Sequence, residues 1–120
     1  MITVAICTYN RAKRLGETLD QMVRQDLPPS IDWEILVVDN ASADDTADVV
    51  DHVRRRADVT IRYAMEPRQG LSHARNTGVR EARGDIVAFT DDDVVPEPGW
   101  LSALAETFRT HDCSGVGGRV

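Results

Sequence analysis

The sequence contains no apolar run near the roughly 20 residues that a membrane-spanning helix requires, so no membrane span is expected within it. Its first apolar stretch, residues 2–7, is too short for a secretory leader and lacks the basic flank and cleavage site of one. Those absences predict a cytoplasmic location, peripheral at most to the inner face of the membrane. Cysteine is scarce: Cys7 and Cys113 stand far apart, with neither metal-binding nor redox spacing, and both read as structural. Basic charge is short as well. With 14 Lys and Arg against 20 Asp and Glu, the formal net charge is -6, and the only basic cluster is Arg54-Arg55-Arg56. A nucleic-acid partner, which would need a basic face to displace counterions, is therefore not expected. The arginine run falls at the end of a predicted helix, where cations complement the C-terminal dipole. Repeats, linkers and low-complexity segments are also missing, which leaves at most one domain in 120 residues. What remains, 42% hydrophobic and 28% charged, is the composition of a globular protein with room for a real core.

Strand and helix signals alternate along the chain. Residues 2–7 are short and almost wholly apolar or small, as a buried strand requires, and end at Thr8-Tyr9-Asn10-Arg11. Leu15, Leu19, Met22 and Val23 share one face of a helix over residues 13–24, which Pro28-Pro29 closes off. The continuous run Ile35-Leu36-Val37-Val38 suits a strand covered on both faces and stops at Asp39-Asn40. Ser42 and Asp45 resemble a capping box opening a helix that reaches about Arg56. Val59, Ile61 and Tyr63 alternate with Thr60 and Arg62, so the third strand has a polar face and belongs at an edge. A helix over residues 70–83 carries Leu71, Ala74, Gly78, Val79 and Ala82 on one stripe, with Gly78 permitting close packing on the sheet. After Gly84 come a strand over residues 86–89, the triplet Asp91-Asp92-Asp93, and a helix over residues 99–110. Residues 115–120 read as the start of a further strand.

Such alternation predicts an α/β domain, a Rossmann-like parallel sheet with right-handed crossovers and helices on both faces. With the alternating strand at an edge, the order is 3-2-1-4, and the topological switch falls between strands one and four. Ligands bind beyond the carboxyl ends of the strands at such a point. The residues that arrive there are Thr8, Tyr9 and Asn10 from the first strand, Asp39 from the second, and Asp91, Asp92 and Asp93 from the fourth.

Three adjacent carboxylates repel one another and call for a cation or for water. No glycine-rich phosphate loop follows the first strand: Thr8-Tyr9-Asn10-Arg11 is neither a dinucleotide fingerprint nor a P-loop. A hard divalent cation on carboxylate oxygens would neutralise a diphosphate in its place. Residues two apart in extended chain share a side, so Asp91 and Asp93 can face the crevice while Asp92 turns away. The plainer alternative is that Asp92 and Asp93 cap the turn that follows.

Four segments together resemble family 2 glycosyltransferases, with their GT-A nucleotide-sugar fold. They are Thr8-Tyr9-Asn10-Arg11, the stretch from Ile35 through Asp39-Asn40 to Thr46, Gly70-Leu71-Ser72-His73-Ala74-Arg75-Asn76-Thr77-Gly78, and Phe89-Thr90-Asp91-Asp92-Asp93 through Pro96 to Trp100-Leu101. Each is weak alone; their order and spacing are strong, and the resemblance covers nearly the whole chain. It implies that Thr8 and Tyr9 contact a nucleotide and that Asp39 binds the base or its ribose. It places Asp91 by the ribose and sugar, counts Asp92 with the donor-binding residues, and lets Arg75 reach the donor sugar or phosphate, unless Arg75 serves as an ion pair fixing its helix. Asp93, with Asp91, is implied to hold Mn²⁺ or Mg²⁺ on the diphosphate.

The implied reaction is inverting transfer of a glycosyl group from a nucleotide diphosphate sugar, a UDP-sugar foremost, to an acceptor hydroxyl of unspecified identity. The catalytic base is expected beyond Val120, in an acceptor half that this sequence does not include; His52, His73 and His111 read as surface or packing residues. The chain is thus expected to be the nucleotide-sugar-binding part, residues 1–120, of a longer glycosyltransferase. A non-catalytic nucleotide-sugar-binding fragment and a nucleotidyltransferase are the alternatives, the latter lacking its basic glycine-rich loop. An unpaired sheet edge near residues 116–120 predicts association into a homo-oligomer or marginal stability.

Overall fold

The run Ile35-Leu36-Val37-Val38 has no polar side chain to keep wet, and in the computed structural model, which describes residues 1–118, all four residues are fully buried. They form the middle of β2 (Trp33–Asp39), which pairs in parallel with β1 (Ile2–Thr8) on one side and β3 (Thr60–Met65) on the other. The strand β4 (Ile86–Thr90) completes the sheet beside β1, in the order β3-β2-β1-β4. Four helices intervene or follow: α1 (Ala12–Met22), α2 (Thr46–Arg54), α3 (Leu71–Glu81) and α4 (Trp100–Thr110). The α/β class, the strand order and the edge position of β3 are as the residue patterns predict.

The two-residue period of the strands divides the core between the faces of the sheet. Val4, Ile6, Ile35 and Val37 meet Leu15, Leu19 and Met22 of α1, Val50 and Val53 of α2, and Leu101 of α4. Leu36 and Val38 lie on the opposite face with Ala74 of α3, flanked by Cys7 and Ala64. One face thus carries three helices and the other carries α3. The arginine run at the end of α2 is spent on exposed pairs: Arg54 and Arg55 with Asp51, and Arg56 with Asp20 of α1 at 2.5 Å. Such pairs contribute at most about 1 kcal/mol each. Among the described residues no helix is long and apolar enough to cross a membrane.

Three local expectations change. The predicted capping box does not form: α2 begins at Thr46, four residues after Ser42, because the Ser42 hydroxyl accepts the Asn10 N–H at 2.9 Å instead. Asp44 takes over the capping work, accepting hydrogen bonds from the backbone N–H and the hydroxyl of Thr46. These bonds, the hydroxyl first, hold the Asp44 carboxyl below the usual carboxylate range. The helix expected over residues 70–83 ends at Glu81, since Ala82 turns extended. The strand expected over residues 115–120 is irregular through residue 118, and Arg119 and Val120 lie outside the described residues.

A buried polar network explains the end of α3. Glu34 of β2 is fully buried under α3, where its carboxylate accepts the Thr3 hydroxyl at 2.8 Å and a bidentate pair of bonds from Arg62 at 2.8 and 2.7 Å. Thr3 in turn accepts the Gly84 N–H at 2.9 Å and that of Arg83 at 3.2 Å, while Arg62 donates to the Glu81 carbonyl. The polar residue of the alternating strand β3 is therefore an internal partner. Arg62 above all, helped by Thr3, holds the Glu34 carboxyl below its ordinary range against the opposing effect of burial. Gly84 sits so close to the first strand that a Cβ there would lie 2.7 Å from both the Met1 carbonyl oxygen and the Thr3 nitrogen. At Gly78 a Cβ would meet the Phe89 ring at 3.2 Å, a contact that a side chain can relieve.

Two predictions follow from this network. Gly84→Ala is expected to destabilise the protein by about 2 kcal/mol or more, because backbone cannot yield, whereas at Gly78 the gain of roughly 1 kcal/mol in helix propensity offsets the contact; urea unfolding compares the two. For Glu34, the folded pKa lies below the unfolded one, so its stabilisation is complete above the ordinary glutamate pKa near 4.3 and disappears as pH falls through the folded value. The melting temperature of Glu34→Gln should trail that of the parent by a constant gap near neutrality, and the gap should shrink below about pH 4.3. A gap independent of pH down to pH 3 would contradict the ionised assignment.

Candidate functional site

The carboxyl ends of β1, β2 and β4 come together at one rim of the sheet. Thr8 pairs with Asp39 in register, and β4 ends at Thr90, immediately before the acidic triplet. The triplet does not project as a block. Asp92 is turned into the protein: its Oδ2 accepts the Thr8 hydroxyl at 2.9 Å and its Oδ1 lies 3.3 Å from Nη1 of Arg11. Asp91 and Asp93 on either side are exposed. The resemblance implies that Asp92 is one of the donor-binding residues; in the structure its carboxylate is engaged inside the fold, at the turn that follows β4. That turn is fastened from α1 and from the segment that follows α1. The Thr18 hydroxyl lies 3.0 Å from the carbonyl oxygens of Asp92 and Val94, and Gln25 donates to the Glu97 carbonyl at 2.7 Å while accepting the Leu101 N–H at 2.9 Å.

The loop after β1 is equally determined. Asn10 adopts a left-handed backbone, φ 50°, a conformation that asparagine tolerates better than most residues. Its side-chain oxygen accepts the Ala43 N–H at 2.7 Å, and the Ala12 N–H donates to Asp44 at 3.1 Å. The loops following β1 and β2 are thus one hydrogen-bonded unit, which presents Tyr9 to solvent at the rim.

Asp39 is 3% exposed, and both of its oxygens have partners. Oδ1 accepts the Ser42 N–H at 2.9 Å and Oδ2 accepts the Tyr63 hydroxyl at 2.6 Å. Burial, then the bond to Asp39 and its charge, pushes the Tyr63 hydroxyl up to about 12. Asn40, next along, donates to the carbonyls of Glu66 and Arg68 and accepts the Gly70 N–H at 2.9 Å, fixing the entry to α3.

Arg75 is exposed on α3, and among the described residues it makes no ion pair, so it is not the helix-fixing pair considered above. Its charge is nevertheless felt at the strand ends. Burial raises the Cys7 thiol pKa, Arg75 lowers it, and Asp92 and Asp91 raise it. Arg75, Asp91 and Asp92 therefore all bear on the thiol at the end of β1.

Residue patterns alone did not single out Arg11, Tyr63 or Asn40. Arg11 and Asn40 lie inside two of the four motif segments, which is the only signal that could have drawn attention to them; Tyr63 gave none beyond alternation. A concavity of about 500 Å³ between α1 and α2 is lined by Gly16, Asp20, Asp48 and His52 among others and includes none of the strand ends.

The exposed pair Asp91 and Asp93 offers hard oxygen donors, suited to Mg²⁺ or Mn²⁺. Among the described residues no group of three or more His, Cys, Asp or Glu side chains is placed to hold an ion. A donor set this small fits a cation whose coordination is completed by phosphate oxygens and water, and does not fit a standing metal centre.

Relatives share this architecture. A mannosyltransferase of Pyrobaculum calidifontis, solved in complex with GDP-Man and Mn²⁺, superposes with a TM-score of 0.80 at 36% identity, over 88% of this chain and 31% of that one. Staphylococcus aureus TarS in complex with UDP-GlcNAc gives 0.79 at 25% identity, over 99% of this chain and 37% of that one. In sequence, the succinoglycan biosynthesis protein ExoM of Rhizobium meliloti is 33% identical over 119 residues, 99% of this chain and 38% of the relative. An uncharacterised glycosyltransferase of a Nostoc strain is 35% identical over 115 residues, 96% of this chain and 35% of the relative. The chain thus spans about a third of the length of these proteins. With the model of glycosyl transferase family 2 matching residues 3–120, the sheet order and the rim of carboxylates have a common explanation: the chain belongs to that family.

Proposed function

We propose that this chain supplies the donor site for inverting glycosyl transfer from a nucleotide diphosphate sugar, a UDP-sugar foremost, to an acceptor hydroxyl. The observation that carries the reading is the division of the triplet, with Asp92 committed inward and Asp91 and Asp93 left at the rim beside the fixed loop of Thr8 and Tyr9. Structures of relatives described as complexes with GDP-Man and Mn²⁺ or with UDP-GlcNAc support the ligand class.

In this reading Asp93, with Asp91, holds Mn²⁺ or Mg²⁺ against the diphosphate. Bound there, the cation stabilises negative charge on the departing diphosphate. The loop of Thr8 and Tyr9 offers exposed backbone and an aromatic ring to the nucleotide, and its hydrogen bonds to residues 42–44 keep it in place without ligand. Asp39 reaches the base or ribose only through lone pairs not already taken by Ser42 and Tyr63, so its part is orientation more than charge. Arg75, exposed on α3 and without an ion pair among the described residues, supplies a cation to the diphosphate or sugar. In this reading, as the family resemblance implies, residues 1–120 do not supply the base that takes the acceptor's proton.

Calorimetric titration with UDP and with Mn²⁺, singly and together, tests the assignment. Mn²⁺ should raise UDP affinity at least about tenfold, roughly 1.4 kcal/mol, and Asp93→Ala should abolish that gain while leaving the melting temperature nearly unchanged. Asp92→Asn, which strips the charge from the inward carboxylate, should lower the melting temperature. UDP binding indifferent to both Mn²⁺ and Asp93→Ala would refute the clamp, and sugar transfer by residues 1–120 alone would refute the placement of the base.

A further inference from the structure

Arg11 touches two carboxylates through one nitrogen, and the two contacts are not alike. Nη1 lies 3.3 Å from Oδ1 of Asp92 and 3.4 Å from Oδ2 of Asp93. The Asp92 side chain is 8% exposed and the Asp93 side chain 45%. A carboxylate withdrawn from water depends on its partners, so Asp92 needs the guanidinium; a half-exposed one can be solvated without it. Asp92 is also fixed by Thr8, whereas Asp93 has no other hydrogen-bond partner among the described residues. The backbone of Arg11 cannot drift away. It is the first residue before α1, its carbonyl accepts the Leu15 N–H at 2.9 Å, and its neighbours Asn10 and Ala12 are bonded to Ser42 and Asp44. Arg11 therefore has one anchored contact and one releasable contact, and the releasable one is on the carboxylate assigned to the metal.

We infer that Arg11 is a tethered competitor for Asp93: it opposes a divalent cation arriving alone, and it yields Asp93 when a diphosphate draws the guanidinium toward itself. The inference rests on the donor-site reading and adds a way of coupling the two ligands. A doubly charged ion about 5 Å from a guanidinium in a water-like dielectric is disfavoured by roughly three- to tenfold once salt screening is allowed for. A diphosphate placed beside both cations reverses that sign. Metal and nucleotide then bind with mutual assistance, and the assistance is the same whichever binds first. Free metal in the absence of nucleotide would occupy the site little, so Asp93 stays paired until the donor is present.

Electron paramagnetic resonance of free Mn²⁺ reads the competition directly, without any transfer assay. For the parent chain, the Mn²⁺ dissociation constant is measured with and without saturating UDP, and the ratio gives the coupling. Arg11→Gln should bind Mn²⁺ alone about three- to tenfold more tightly, and its coupling ratio should fall by a similar factor. Asp92→Asn removes the charge that anchors Arg11 while keeping the cation, so Arg11 should settle on the charged Asp93 and Mn²⁺ alone should bind more weakly. The opposite signs keep the test decisive if one variant proves poorly folded by circular dichroism. Unchanged or weaker Mn²⁺ binding in folded Arg11→Gln, or tighter binding in folded Asp92→Asn, overturns the inference while the donor-site reading stands. A parent chain that takes up no Mn²⁺ even with UDP overturns both.

Discussion

One carboxylate withdrawn from water organises this molecule. Asp92 sits in the turn beyond the end of an edge strand, yet its side chain is buried against Thr8 and shares Arg11. An ionised group in that position is tolerable only with a donor and a cation at hand, and both come from the first strand and the loop after it. That requirement ties β4 to β1 at the end of the sheet where their backbone pairing has stopped, since the last paired residues are Ile6 and Thr90. It also decides what the neighbouring aspartates can do. With Asp92 committed inward at the turn, Asp91 and Asp93 on either side are exposed, and the rim acquires two hard oxygen donors separated by one residue.

The opposite end of the sheet solves a similar problem without a free functional group. Glu34 is buried beneath α3, and Thr3, Arg62 and the backbone of Arg83 satisfy it. The face on which α3 packs has a small apolar cluster, Leu36, Val38 and Ala74, so this polar network and the close approach of Gly84 to the first strand position the helix. Arg75 rides on that helix, and its place near the end of β1 is therefore inherited from contacts at the far end of α3. The site depends in this way on residues well away from it.

Between these ends, the loops are held by side chains that bond to backbone. Asn10, Ser42 and Asp44 join the loop after β1 to the loop after β2, and Asn40 joins the latter to the start of α3. Such short polar side chains favour turns because they can satisfy nearby N–H and C=O groups. The outcome is a rim whose shape is set by the protein itself. A nucleotide meeting it would find its contacts arranged in advance, which lowers the ordering cost of binding.

The sheet order and the edge strand were legible from apolar periodicity, because burial on one or both faces leaves a direct record in residue type along a strand. Alternation in Val59, Ile61 and Tyr63 put β3 at the edge, and the continuous run in β2 put that strand in the middle. The convergence of Thr8, Asp39 and the triplet on one rim followed from topology, which parallel pairing with strand order 3-2-1-4 nearly dictates. What the residues could not reveal was the direction and occupancy of individual side chains. Ser42 and Asp45 have the spacing of a cap, but Ser42 was claimed by Asn10, a residue 32 positions earlier. Arg62 looked like the wet face of a strand and became the partner of a buried glutamate. Asp39 kept its place at the rim while Ser42 and Tyr63 took its oxygens. The sequence by itself determined the layers, the strand order and which chemistry arrives at the switch point, since these depend on burial averaged over many residues. Only the tertiary structure decided that Asp92 turns inward on Thr8 and Arg11 while Asp91 and Asp93 face out, because a hydrogen bond depends on a few tenths of an ångström between residues distant along the chain.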